Sequence, residues 1–142
     1  MWRIEEEFSG PQVQELHVLF QREWWTRGRT LEETRRCVQR SALCFGVVDS
    51  QERLFGFARV VTDFVFKAMV YDLIVDEAAR GFGVGKRLLS AITEHASLRE
   101  VKHVELYCLP EMQSYYAALG FSTDVGGVQL MRLGGSQAKH RE

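Results

Sequence analysis

The chain has 142 residues, enough for one domain with a real core, and its 46% apolar and 26% charged residues are the ordinary balance of a globular protein. A net charge of -1 supplies no bulk attraction to nucleic acid or an anionic membrane, and no apolar run approaches the ~20 residues of a membrane helix. Cys37, Cys44 and Cys108 are odd in number and lack CxxC spacing, and His17, His95, His103 and His140 form no HxxxH pair; this speaks against a disulfide framework or a metal site and for a reducing compartment, the cytoplasm.

The opening "MWRIEEEFSGP" lacks the apolar stretch of a signal peptide, and its "WRIEEEF" alternates weakly, as an opening strand would. "SGPQ" signals a helix start, with Ser9 as cap, Gln12 three residues on and Pro11 in the first turn; the spacing of Val13, Leu16, Val18, Leu19 and Phe20 predicts helix to about Arg22. "EWWTRGR" reads as a loop, after which Thr30 and Glu33 form a capping box for "TLEETRRCVQR". Two apolar runs either side of "DSQER" predict a β-hairpin. "FKAMVYDLIV" is almost continuously apolar, as in a strand covered on both faces. A helix over "VGKRLLSAITEHASL" follows, with Val84, Leu88, Leu89 and Ile92 on one side. Then come a strand "HVELYC", a short helix "QSYYAALG" ended by Gly120, and a last strand "VQLMRL". The expected organisation is a single domain over 1–133 and a polar tail over 134–142. Its fold class is α/β, a mixed and mostly antiparallel sheet with one parallel β-α-β crossover.

Between "DLIV" and the following helix stand Gly81, Gly83 and Gly85. If helical, each would cost roughly 1 kcal/mol relative to alanine. Glycines at a strand's carboxyl end and a helix's amino end let backbone N–H groups converge on an anion, and the flanking Arg80, Lys86 and Arg87 add positive charge. A phosphate or pyrophosphate site is the reading. A Walker loop needs Gly at 80 and Ser or Thr at 87, where arginines stand. A dinucleotide fingerprint fails at Lys86 or Leu88.

The pattern Arg-x-x-Gly-x-Gly, as Arg80, Gly83 and Gly85 after "YDLIVDEAA", resembles the coenzyme-A-binding signature of the GNAT superfamily of N-acetyltransferases. "SYYAALGF" at 114–121 resembles the family's short Tyr-containing helix ending in Leu-Gly-Phe. The resemblance runs from about Arg3 to Leu133, and "SALCFGVV" with "GFARVVTD" is similar to paired strands in one bacterial branch. It implies the GNAT-type acyl-CoA N-acyltransferase fold, with the parallel crossover at the cofactor site. It also implies transfer of an acetyl group from acetyl-CoA to a primary amine of a small molecule or peptide, by direct attack and without a metal. Two strands would splay so that backbone groups near Leu73, Ile74 and Val75 hold the pantetheine arm, and amides over Gly81, Phe82, Gly83, Val84, Gly85 and Lys86 would hold the pyrophosphate beside Arg80. The family's frequent Asn seven residues before its Tyr is here Leu109, a departure that bears on the details of the cofactor contact and not on the site as a whole.

Such a reaction asks for a proton acceptor for the amine and a donor for the departing thiolate. Tyr116, four residues before Gly120, stands where the family's Tyr stands and is the expected donor, with Tyr115 assigned to the core. Asp72, a carboxylate inside an apolar strand, is the expected acceptor; Glu105 on the neighbouring strand and a water relay are the alternatives, and Asp72 could instead pair with Arg59. Cys108 is expected to be a buried spectator. On the acceptor side, Trp24 and Trp25 would wall an apolar or aromatic amine pocket, unless Trp24 caps the core. Arg22, Arg27, Arg29, Arg35, Arg36 and Arg40 outnumber Glu23, Glu32 and Glu33, which suits a carboxylate-bearing acceptor, the cofactor's phosphates, or a solvated helix face. Nucleic acid and membrane are not expected partners; exposed strand edges or the Trp-bearing loop would serve a homodimer. A non-catalytic CoA-binding or regulatory module of the same fold is the alternative function, and a generic nucleotide binder a third.

Overall fold

Two helix starts are fixed by reciprocal side-chain caps. In α1 (Gly10–Gln21) the Ser9 hydroxyl accepts from the Gln12 N–H at 3.3 Å while Gln12 Oε1 accepts from the Ser9 N–H at 2.9 Å, with Pro11 in the first turn. In α2 (Leu31–Arg40) Thr30 and Glu33 make the same exchange at 3.0 and 2.8 Å. A cap of this kind is typically worth about 1 kcal/mol. Leu16, Leu19 and Phe20 turn the buried side of α1 inward. These features belong to a computed structural model that describes residues 1–134, so all but the first residue of the expected tail lies outside the described residues.

The chain divides into two compact units, Met1–Tyr107 and the segment from Cys108 onward. In the first, β1 (Trp2–Glu5), β2 (Leu43–Asp49), β3 (Leu54–Thr62), β4 (Lys67–Val75) and β5 (His103–Leu106) form one sheet in chain order. All neighbours are antiparallel except β4 and β5, which are parallel. The hairpin turns are built by carboxylates: Asp49 Oδ1 accepts from the N–H of Gln51 and Arg53, and Asp63 Oδ1 from those of Val65, Phe66 and Lys67. On one sheet face Phe57 meets Phe8 and Phe20 of the α1 side. On the other, α3 (Val84–Thr93) lies against Gly56, where a Cβ would come within 2.9 Å of Val84 and 3.3 Å of Leu88. Val84, Leu88, Leu89 and Ile92 are all buried, as their spacing predicts. The parallel β4-α3-β5 crossover is the one the sequence predicts.

Three expectations are corrected. β4 is not covered equally on both faces: Ala68, Val70 and Ile74 are buried, whereas Met69, Tyr71 and Leu73 are half-buried. The strand "HVELYC" ends at Leu106. "VQLMRL" is not a strand: residues 128–133 pair with no neighbour among the described residues, and Val128, Leu130, Met131 and Leu133 are exposed. An alternating pattern makes a strand only where another strand accepts its backbone. In the second unit α4 (Gln113–Ala117) ends in a turn closed by Gly120 at φ 101° and by a hydrogen bond from the Phe121 N–H to the Tyr116 carbonyl at 3.1 Å.

Candidate functional site

The end of β4 leads through a short 3-10 turn at Glu77–Ala79, capped by Asp76, into the glycine turn. Gly81 and Gly83 have φ of 85° and 77°, a left-handed backbone that costs other residues about 1–2 kcal/mol. A Cβ on either would meet nothing within 4 Å, so the backbone, and not crowding, asks for glycine there. Gly83 caps α3, which has no side-chain cap. Its first N–H groups and the positive end of its dipole are thus left to an anion. Gly85 is buried in the first turn and Lys86 is exposed. Phe82 is 70% exposed and sets its ring edge-on to Trp2 at 5.9 Å, while Arg87 Nη1 donates to the Trp2 carbonyl at 3.2 Å. These contacts tie the turn to β1.

β4 outlasts its parallel partner. Pairing with β5 ends at Val70 opposite Leu106, so Tyr71 to Val75 have no sheet neighbour on that side among the described residues. On the other side Arg59 faces Tyr71 but Phe57 faces Ile74, so β4 carries an extra residue and bulges at Asp72 and Leu73. Asp72 has φ 57°, a left-handed conformation that Asp and Asn tolerate best among residues with a Cβ.

The Asp72 carboxylate, with only 5% of its side chain exposed, lies between two arginines. Arg29 holds it bidentately at 2.7 and 3.0 Å, and Arg59 Nε donates to Oδ2 at 2.6 Å. Burial pushes the Asp72 carboxyl up, but the bonds from Arg29 and Arg59 outweigh it and hold it below the usual aspartate range. Burial works in turn against the Arg59 charge, and Asp72 more than restores it. Arg29 also stacks over Phe20 at 4.6 Å, and its carbonyl accepts from Gln21 Nε2 at 2.8 Å and lies 3.1 Å from His17 Nε2. The loop between α1 and α2 is thereby stapled to the bulge. Pairing with Arg59 is one of the alternatives the sequence offers for Asp72; Arg29 is not among them, because no local pattern says that a loop reaches a strand 43 positions away.

The same loop touches the glycine turn. Glu23 Oε2 accepts from Arg80 Nη2 at 2.8 Å, Arg80 Nε donates to the Val75 carbonyl at 3.2 Å, and Arg22 pairs with Asp76 at 3.3 Å. These side chains, with Leu19, Ile74 and Glu77, line a cleft of about 370 Å³. The structure therefore brings Leu73, Ile74, Val75, Arg80 and the glycine turn to one end of β4, and it occupies Arg80 with an acid. Trp24 does not cap the core: it is 62% exposed and Trp25 40%. Glu105 pairs with Lys67 at 3.2 Å near the start of β4.

In the second unit the order of the tyrosines is reversed from expectation: Tyr115 is exposed and Tyr116 half-buried. Tyr116 meets Tyr115 and Phe121 edge-on at 5.1 and 6.1 Å. Burial, with smaller pushes from Tyr115 and Cys108, lifts its phenol to about 12, so it is protonated at neutral pH. Cys108 is exposed and not the buried spectator expected.

A family model described as the acetyltransferase (GNAT) family matches residues 6–121. The chain belongs to this family. Its GNAT relatives include "Uncharacterized N-acetyltransferase ycf52" from Porphyra purpurea, 29% identical over 120 residues that make up 82% of this chain and 68% of the relative. Another is "Serotonin N-acetyltransferase 2, chloroplastic" from Oryza sativa, 29% identical over 87% of this chain and 62% of the relative. Algal and plant proteins thus stand among the relatives, and the likeness is not confined to a bacterial branch. A GNAT-family protein of Xanthomonas campestris pv. campestris has the same fold, with a TM-score of 0.78 at 23% identity over 95% of both chains. The mixed five-stranded sheet with its parallel β4–β5 pair is that of GNAT structures. No helix among the described residues is long and apolar enough to cross a membrane.

Proposed function

We propose that this GNAT acetyltransferase moves the acetyl group of acetyl-CoA to a primary amine of a small molecule or peptide by direct attack. One observation carries the reading: a helix that no side chain caps, behind two left-handed glycines, opens beside a strand edge that has no neighbour among the described residues. That pair of features suits a molecule with a pyrophosphate at one end and an extended amide-containing arm. Acetyl-CoA supplies the activated thioester. The amides from Gly81 through Phe82, Gly83, Val84 and Gly85 to Lys86 bind the pyrophosphate, with Arg80 beside them. Leu73, Ile74 and Val75 bind the arm through their backbone as an added strand would. The enzyme's main contribution is then to hold two reactants in attack geometry.

Tyr116 donates to the departing sulfur; its raised pKa keeps the donor protonated at neutral pH and also makes it a weaker acid. Asp72 is a poor proton acceptor, because its lone pairs are taken by two guanidinium groups that also stabilise its charge. Of the alternatives, a water relay fits better than Glu105, which Lys67 holds. Asp72 instead positions: it fixes the bulge from which Leu73 to Val75 extend. The commitment of both carboxylates also favours a second reading, a CoA-binding module without turnover. The free cysteines suit a reducing compartment such as the cytoplasm.

Thermal unfolding with acetyl-CoA, CoA, ATP and NADH in parallel tests the site. Ligand at a hundred times its Kd adds about 2.7 kcal/mol, a rise of several degrees. A rise with acetyl-CoA and CoA alone is expected; an equal rise with ATP or NADH would replace the reading with a generic nucleotide site. Tyr116→Phe separates enzyme from module. It should lower kcat about 10²-fold or more while CoA affinity stays within twofold. Equal loss of both would remove the donor role, and no thiol release from wild-type protein across an amine screen would leave the module.

A further inference from the structure

A second cavity, of about 240 Å³, opens between α2 and β3, apart from the cleft at the end of α1. Arg36, Arg40 and Arg59 line it together with Glu33, Cys37 and Ser41. The acid in this wall, Glu33, stays ionised: its Oε1 accepts from the Thr30 N–H at 2.8 Å, as the cap of α2, and Arg36 also holds its carboxyl low, so one carboxylate faces three arginines. The Ser41 hydroxyl donates to the Cys37 carbonyl at 2.7 Å and lies 3.4 Å from Arg59 Nη1. Arg36 stands 4.0 Å from Glu32, the outer limit of an ion pair, and Arg40 has no ion-pair partner among the described residues. Arg40 in the last turn also suits the helix dipole, but the dipole does not account for Arg36 or Arg59 lining the same cavity.

Arg36, Arg40 and Arg59 thus outnumber the one lining carboxylate, and although Arg59 also binds Asp72 the cavity keeps a net positive charge. Guanidinium forks match the paired oxygens of carboxylate and phosphate. The site is also connected to the bulge of β4: Arg59 binds Asp72 through Nε at 2.6 Å and covers the Tyr71 ring at 5.0 Å. An oxyanion in this cavity would sit one guanidinium away from the strand segment that the donor is proposed to use.

We propose that this cavity binds an oxyanion, carboxylate or phosphate, carried by the amine acceptor; the link to the amine, though not the anion site, rests on the acetyltransferase reading. The acceptor is then an amino acid-like or amino phosphate compound with its charge at a distance from the reacting nitrogen. The probes are primary amines with spacers of increasing length, ending in a carboxylate, a phosphate monoester or a neutral carboxamide. Each is titrated by calorimetry into the CoA-bound protein at low ionic strength, and its KM is read by thiol release. Wild-type protein should bind at least one anionic series about tenfold or more tighter than the carboxamides, the low end for charge-assisted hydrogen bonds. The better tail identifies the oxyanion. Arg36→Gln/Arg40→Gln should abolish that preference while carboxamide binding stays unchanged and the Tm shifts by no more than a few degrees. Equal binding of all three tails, or a preference that survives in the double variant, would overturn the proposal. The two failures are distinct. An anion preference in calorimetry with no thiol released from any amine leaves the site and removes the acetyltransferase reading. Thiol release with equal KM for all tails does the reverse.

Discussion

Asp72→Asn removes one charge from the most buried ion cluster of the described chain and little else. Asn is nearly isosteric and tolerates the left-handed backbone at least as well as Asp, so the φ of 57° adds no strain to the variant. The guanidinium groups of Arg29 and Arg59 lose their counter-charge, with 30% and 20% of their side chains exposed. Breaking a buried pair costs about 3–5 kcal/mol, and this residual exposure places the change at about 3 kcal/mol, the low end. For a domain of this size that is a fall in Tm of about 12 °C. Urea unfolding of both proteins between pH 7 and pH 3 adds a signature that a packing defect lacks. The folded pKa of Asp72 is depressed, so its contribution is complete above the unfolded value of about 3.9 and is lost as pH falls through the lower folded value. The gap between wild type and variant should be constant from pH 7 to 5 and narrow below about pH 4. A gap under about 1 kcal/mol at pH 7 would mean that water replaces the carboxylate without loss, and one still undiminished at pH 3 would deny that charge is its source.

Glu23→Gln frees Arg80 from its acid and should tighten CoA binding by up to about fivefold, the range of an exposed ion pair, as read by calorimetry; weaker binding would show that the pair holds the turn in its binding shape. Gly83→Ala should cost about 1–2 kcal/mol by urea unfolding, from backbone strain alone, since nothing stands within 4 Å of the new Cβ; an unchanged midpoint would contradict the left-handed cap. Ser9→Ala should cost about 1 kcal/mol, while Ser9→Gly costs only a few tenths; equal losses would indicate that the side-chain bond to the Gln12 N–H is not the source.

What was legible from residues alone is what is decided within a few positions. The two capping boxes and the hairpin turn at "DSQER" rest on side chains that meet their partners within a few positions, and the buried side of α3 shows in a spacing of three and four residues. The glycine turn was legible for the same reason, since an L-residue rarely adopts the backbone of Gly81 and Gly83. Long-range pairing was not. An isolated carboxylate in an apolar strand, as at Asp72, reads as a base because it needs a purpose, and no local pattern shows that Arg29, a loop residue 43 positions away, pairs with it. The strand expected over "VQLMRL" failed because alternation describes one surface of a ladder whose other half must exist. Trp24, Tyr115 and Cys108 were misjudged alike: size and polarity give a preference for burial, not a neighbour to be buried against.

The position of Asp72 matters before the fold is complete. β2, β3 and β4 pair through two short turns, but β5 reaches β4 only after the whole α3 crossover has been made. Parallel pairing across such a loop is slow. Until then the edge of "KAMVYDLIV" is open along its full length, a segment rich in strand-forming residues with no proline or glycine to interrupt it. Such a segment recruits others like it. Its one negative charge sits in the apolar half and repels a second copy in register, the work of a gatekeeper residue. The carboxylate that Arg29 and Arg59 neutralise in the finished fold thus also interrupts the apolar edge of the unfinished one.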